Sequence, residues 1–210
     1  MTDNRRPVKT RSTAWATHIT RFLVERNISP NQISLASIVF AASGAAALLI
    51  DNGIIGSLLC ILGLQLRLLC NLFDGMVAIE GGKRSSIGSL YNEFPDRITD
   101  SVLITAVGYA AGQPELGLFA ALAAALTAYV RVFGGSVGLA QSFRGPMAKQ
   151  HRMAVLTLGL AANAVEATVR GTDYALLIAL MIIAVGSVVT CMTRTYTIAR
   201  QLQETAHVDQ

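Results

Sequence analysis

Residues 54–79 read IIGSLLCILGLQLRLLCNLFDGMVAI, an apolar run long enough to cross a bilayer. A crossing helix needs about 20 mostly apolar residues. The second half of this run also carries Arg67, Asn71 and Asp74. Hydrocarbon does not accept such groups unless they face partners or a cavity. The run therefore predicts a membrane helix, and its polar end predicts a site.

Outward from this run, five further segments read as spans: 33–50, 95–111, 116–140, 153–169 and 174–192. Asp96, Arg97 and Asp100 interrupt the first turns of 95–111. Composition agrees with membrane residence. The chain has 210 residues, 52% hydrophobic and 14% charged, with mean hydropathy +0.50. Soluble domains carry about a quarter charged residues. The same numbers exclude a disordered or collagen-like chain. Cys60, Cys70 and Cys191 lie in apolar runs without zinc-like spacing, so they read as small buried hydrophobes.

Charge gives the orientation. Arg5, Arg6, Lys9, Arg11, Arg21 and Arg26 precede the first span. Lys83 and Arg84 follow the second, Arg144, Lys149 and Arg152 follow the fourth, and Arg194 and Arg200 follow the last. The alternate connections contribute only Arg170. By the positive-inside rule both termini are cytoplasmic, and the net charge of +4 marks cytoplasmic loops rather than a nucleic-acid partner. No signal peptide is expected, because the first apolar run starts late and no small-residue cleavage site follows. Trp15, Ile19, Phe22 and Leu23 share one face of a short helix, which reads as interfacial. The fold expected is an all-α integral membrane protein with six transmembrane helices behind a cytoplasmic amphipathic helix. Residues 1–32 form the N-terminal segment, 33–193 the transmembrane domain and 194–210 the tail. Small residues, Ala41–Ala45 and Gly134–Gly138 among them, permit close helix approach.

The polar residues concentrate at one membrane face. Arg67, Asn71, Asp74 and Glu80 end the second span, and Asn92, Glu93, Asp96, Arg97 and Asp100 begin the third. Asn71 and Asp74 are three apart and share a helix face. Gly88, Asn92, Asp96 and Asp100 recur every four residues, a gently winding ridge. Carboxylate and amide oxygens facing one another across a short turn suit hard cations such as Mg²⁺, Mn²⁺ or Ca²⁺. Two other readings stay open: ion pairs of Asp96 or Asp100 with Arg67 or Arg131, and an ion pathway.

The segment Asn71-Leu-Phe-Asp74-Gly75-Met-Val-Ala78-Ile79, eight residues, then Gly88-Ser-Leu-Tyr-Asn92-Glu-Phe-Pro-Asp96 resembles the signature of the CDP-alcohol phosphotransferases, D-x2-D-G-x2-A-R-x8-G-x3-D-x3-D. The register holds without a gap. Asn71 and Asn92 stand where that family has aspartates, and Ile79 where it has arginine. The segment 29–34 before the first span, Arg131 and the loop 145–152 also look like family features.

The resemblance implies an enzyme that transfers a phospho-alcohol group, with phosphatidyl from CDP-diacylglycerol the group expected, to an acceptor hydroxyl and releases CMP. It implies Asp96 as the general base. It implies Asp74, Asn71 and Asn92 as ligands of one or two Mg²⁺ or Mn²⁺ ions; Asp100, one turn further along the same ridge, or Glu93 would compensate for the lost charge. Gly75, Ala78, Gly88, Asn31 and Ser34 would bind the nucleotide. Arg131, Lys149 and Arg152 would bind the acceptor or its phosphate. The implied setting is a homodimer in a bacterial cytoplasmic membrane, with membrane lipids and no nucleic acid as partners. A binding protein that has lost catalysis and an ion-coupled transporter are the competing readings.

Overall fold

A computed structural model describes residues 13–83, 86–169 and 174–208. Of the residues that set orientation by charge, Arg5, Arg6, Lys9, Arg11, Arg84 and Arg170 lie outside these. The described residues form seven helices and no strand. They are α1 (Ala14–Glu25), α2 (Pro30–Ile50), α3 (Ile54–Glu80), α4 (Gly88–Ala110), α5 (Pro114–Ser136), α6 (Lys149–Val169) and α7 (Tyr174–Val208).

Local chemistry sets the corners. Asn27 takes φ 58°, the left-handed conformation that closes α1. Ser29 and Gln32 then form a capping box, with Pro30 in the first turn of α2. Asp51 caps the next helix, accepting from the Gly53 and Gly56 amides at 2.9 Å each.

Two helices depart furthest from the expected bounds. The third span was expected from Pro95, a residue that commonly opens a helix. α4 instead starts at Gly88 and carries Pro95 inside it. Proline lacks the N–H that would bond one turn back, yet its fixed φ is helical, so the chain continues through it with one bond fewer. The last span was expected to end at 192. α7 runs on to Val208, since neither Gly nor Pro occurs after Gly186 to stop it.

α2, α3, α6, α7, α5 and α4, in that order, close a ring, each packed against the next. α1 lies against α3. Leu48, Leu64, Ile104, Leu156, Leu180 and Ile183 fill the interior. Large apolar side chains such as Val39, Leu62, Leu122, Leu158 and Val185 point outward. α2, α3, α5, α6 and the stretch Tyr174–Thr205 of α7 are long and apolar enough to cross a membrane. α4 does not reach that standard on composition. The charged residues that lower its hydropathy include Asp96 and Asp100, both buried inside the ring.

Lipid-exposed helices gain little from the hydrophobic effect, so close packing matters more. Gly108 of α4 faces Gly117 of α5: a Cβ on Gly108 would lie 2.5 Å from the Gly117 Cα. Gly63 of α3 faces the α2 backbone, and a Cβ there would lie 2.5 Å from the Phe40 carbonyl oxygen. At one end of the ring Asn163 donates to the Asn52 carbonyl at 3.1 Å and to Ser57 Oγ at 3.0 Å, tying α6 to the start of α3. The site lies about 20 Å from there along α3, near its other end.

Candidate active site

Near the C-terminal end of α3, the ring encloses a cavity of about 360 Å³. α3 contributes Asn71, α4 contributes Asn92, Glu93 and Asp96, and α5 contributes Arg131. Lys149 and Arg152 come from the first turn of α6, and Arg194 from α7. The four-residue ridge on α4 is why Asn92 and Asp96 reach the same space.

Asp96 is buried and met by four donors, of which Arg97 Nη2 lies furthest, 3.8 Å from Oδ2. Asn71 Nδ2 donates to its Oδ1 at 2.7 Å. Lys149 Nζ contacts Oδ2, and Arg67 Nη2 lies 3.4 Å from Oδ1. Arg67 also donates through Nε to Thr99 Oγ1 at 2.6 Å and pairs with Asp100. The other Asp100 oxygen accepts from Arg152 Nη2 at 2.9 Å. Asp100 thus bridges two buried arginines and lies away from the cavity, so its oxygens are committed to guanidinium groups rather than open to a cation. The ion pairs weighed for Arg67 are present for both Asp96 and Asp100. Arg131 pairs elsewhere: its Nη2 reaches both Glu93 oxygens at 2.7 and 2.6 Å, and its guanidinium sits 5.2 Å over the Phe143 ring.

Asp74 is not in the cavity wall. It is 4% exposed, and its Oδ2 accepts from Ser34 Oγ at 2.7 Å. Its Oδ1 is buried with no hydrogen-bond partner. Burying an unpaired carboxylate oxygen is costly, which makes this atom a place for a cation. Asp96 and Lys149 both lie within electrostatic reach of it. Among the described residues no three His, Cys, Asp or Glu side chains gather as metal donors. The remaining donors would be the amide oxygens of Asn71 and Asn92. Gly75, Ala78, Gly88, Asn31 and Ser34 do not line the cavity. Ser34 instead holds Asp74, and a Cβ on Gly88 would meet nothing within 4 Å, so that side is open.

Sequence reasoning missed Arg194, which it counted as a tail charge. Arg194 is 4% exposed. It donates through Nε to the Arg144 carbonyl at 2.8 Å and through Nη1 to the Thr127 carbonyl at 2.6 Å. Among the described residues no carboxylate pairs with it. The signal was there: Leu180, Ile183, Ser187, Thr190, Arg194 and Ile198 are buried at helical spacing. Together Arg131, Lys149, Arg152 and Arg194 make the cavity wall cationic despite Glu93 and Asp96. Such a wall favours an anion, and Asp96 beside it can accept a proton.

No protein-family model matches the chain. Curated relatives do. It is 36% identical over 142 residues to the archaetidylinositol phosphate synthase of Aeropyrum pernix, covering 67% of this chain and 71% of that one. It is 26% identical over 191 residues to the phosphatidylinositol phosphate synthase of Streptomyces avermitilis, covering 87% and 77%. Among solved structures, the Mycobacterium tuberculosis phosphatidylinositol phosphate synthase PgsA1 with CDP-DAG bound superposes with TM-score 0.73 at 20% identity, covering 87% of this chain and 92% of that one. The same enzyme in complex with manganese and citrate gives TM-score 0.69 at 19% identity, covering 87% and 88%. With the ungapped signature and these relatives, the chain belongs to the CDP-alcohol phosphotransferase family, enzymes that transfer a phospho-alcohol group from a CDP-linked donor and release CMP.

Proposed function

We propose that this enzyme transfers the phosphatidyl group of CDP-diacylglycerol to the hydroxyl of a phosphorylated polyol, of the inositol phosphate class. The observation that carries the reading is one cavity holding both a proton acceptor, Asp96, and a buried arginine, Arg194, that no carboxylate among the described residues neutralises. A phosphate on the acceptor supplies the missing negative charge. The named activities of the relatives favour the same acceptor class.

In this reading Asp96 takes the proton of the attacking hydroxyl. Asn71 and Lys149 orient its carboxylate. Arg131, Arg152 and Arg194 dock the acceptor phosphate, and Arg131 must exchange Glu93 for it. Docking fixes the hydroxyl close to the reacting phosphorus, which lowers the entropic part of the barrier. Asp74, with the amide oxygens of Asn71 and Asn92, would hold divalent metal. Bound Mg²⁺ or Mn²⁺ would neutralise the donor's diphosphate and the leaving CMP. Gly75, Ala78 and Gly88 leave room for the nucleotide, with Asn31 nearby on α2. Asp100 serves as the anchor of Arg67 and Arg152.

The same proposal covers the membrane arrangement. α4 is the sixth span, its charges neutralised inside the ring. The asymmetry of basic residues across the connections supports cytoplasmic termini. α1 packs Ala16 and Thr20 against α3 and leaves Trp15, Ile19 and Phe22 exposed for the lipid interface. The catalytic unit extends at least to Arg194, and the enzyme works as a homodimer in a bacterial cytoplasmic membrane.

An acceptor panel tests this reading. With CDP-diacylglycerol and Mg²⁺, purified protein in detergent should release CMP with inositol phosphate or another phosphorylated polyol. Release with serine or free inositol, and none with phosphorylated acceptors, would contradict it.

A further inference from the structure

The donor set also determines how many cations the site accepts. Asp74 offers one buried carboxylate oxygen with no hydrogen-bond partner. Asn71 directs its amide nitrogen to Asp96 at 2.7 Å, which leaves its oxygen free to ligate without adding charge. Asn92, on the cavity wall, is also neutral. Asp96 is different, since both of its oxygens already face positive or donating groups: Asn71 and Arg67 at Oδ1, Lys149 at Oδ2. A divalent cation placed on Asp96 would stand against an ammonium and a guanidinium in a low-dielectric interior, where like-charge repulsion is strong.

Resting on the functional reading above, we propose that the site holds a single divalent cation, on Asp74 with Asn71 and Asn92 as neutral ligands, and that the Lys149 ammonium on Asp96 occupies the place of a second. Lys149 then has two tasks. It fixes the carboxylate of the base, and it supplies a positive charge beside the reacting diphosphate. Mg²⁺ and high-spin Mn²⁺ carry no ligand-field stabilisation, so an ammonium can stand in for a second ion through its charge alone.

Manganese binding to the purified full chain in detergent tests this without any turnover. Free Mn²⁺ is read by electron paramagnetic resonance, and bound metal by elemental analysis after equilibrium dialysis. The expected stoichiometry is one ion per chain. Asp74→Asn should abolish binding. Lys149→Met should tighten the remaining site severalfold, because a nearby like charge is gone. Asn71→Asp with Asn92→Asp should raise the stoichiometry towards two. Two ions on the wild-type chain overturn the inference and leave the functional reading intact. Unchanged affinity in Lys149→Met overturns the part assigned to Lys149. Absence of bound manganese in the wild type overturns the inference and the metal dependence together. One bound ion with no CMP release from any acceptor supports the inference and defeats the functional reading.

Discussion

Arg67 of α3 and Asp100 of α4 form an ion pair across the interior of the helix ring, between helices that are not neighbours in it. The arginine side chain is fully buried and the aspartate side chain is 4% exposed. Arg152 of α6 closes the bridge from the other side. Removing the carboxylate leaves the buried Arg152 with no carboxylate among the described residues and Arg67 with only its longer contact to Asp96, at 3.4 Å. Breaking a buried pair in this way costs about 3–5 kcal/mol. Asp100→Asn should therefore lower the unfolding midpoint in detergent sharply and leave manganese affinity nearly unchanged in the folded fraction. A stable Asp100→Asn protein with weakened metal binding would return Asp100 to the list of ligands.

Asp96→Asn keeps size and hydrogen bonding and removes the proton acceptor. Turnover should fall by about 10²-fold or more, the usual effect of losing a positioned base. Binding of CDP-diacylglycerol should survive, which calorimetry on the same preparation would show. Joint loss of metal binding and turnover would make Asp96 a ligand instead.

Arg194→Met removes a buried cation from the cavity wall. A hydrogen bond to a charged group contributes about 1.5–3 kcal/mol, so KM for a phosphorylated acceptor should rise about 10- to 100-fold. KM for CDP-diacylglycerol should change little, and Arg194→Lys should recover part of the loss. Equal effects on both substrates would assign Arg194 to general packing.

The way these residues were legible in the sequence differs by their physics. Long apolar runs exposed α2, α3, α5 and α6, because bilayer thickness imposes a length. Spacing along α4 placed Asn92 and Asp96 together, because helix geometry is fixed. The start of α4 was hidden by Pro95, which resembles a helix opening although it sits in a helix interior. Arg194 was hidden because charge beyond an apolar run reads as solvated tail. Only tertiary contact, with Thr127 and Arg144, turns it inward. The pairing of Arg131 with Glu93 was equally invisible, since it joins α5 to α4 across a distance in sequence that no local pattern reports.

The Gly108–Gly117 contact predicts its own failure. Gly108→Ala puts a methyl group where the opposing backbone already lies, so α4 and α5 must separate. Overpacking of this kind costs about 1–3 kcal/mol. Thermal unfolding should shift down. Alanine at Gly88, where a Cβ would meet nothing within 4 Å, should leave stability unchanged.

Six spans require Lys83 and Gln113, which flank α4, to face opposite sides of the membrane. Impermeant thiol labelling of Lys83→Cys and Gln113→Cys, each on a cysteine-free background in whole cells, should modify only the second. Labelling of both from outside would show that α4 does not cross.

In the proposed function, one cavity joins a phosphatidyl donor to a phosphorylated acceptor. The most direct test is mass spectrometry of the lipid product formed from CDP-diacylglycerol and inositol phosphate by the wild-type enzyme and by Asp96→Asn. The wild type should yield a phosphatidyl lipid that retains the acceptor's phosphate, with one CMP released per lipid formed, and the variant should yield only traces. CMP without that lipid, or equal product from both proteins, would contradict the proposed function.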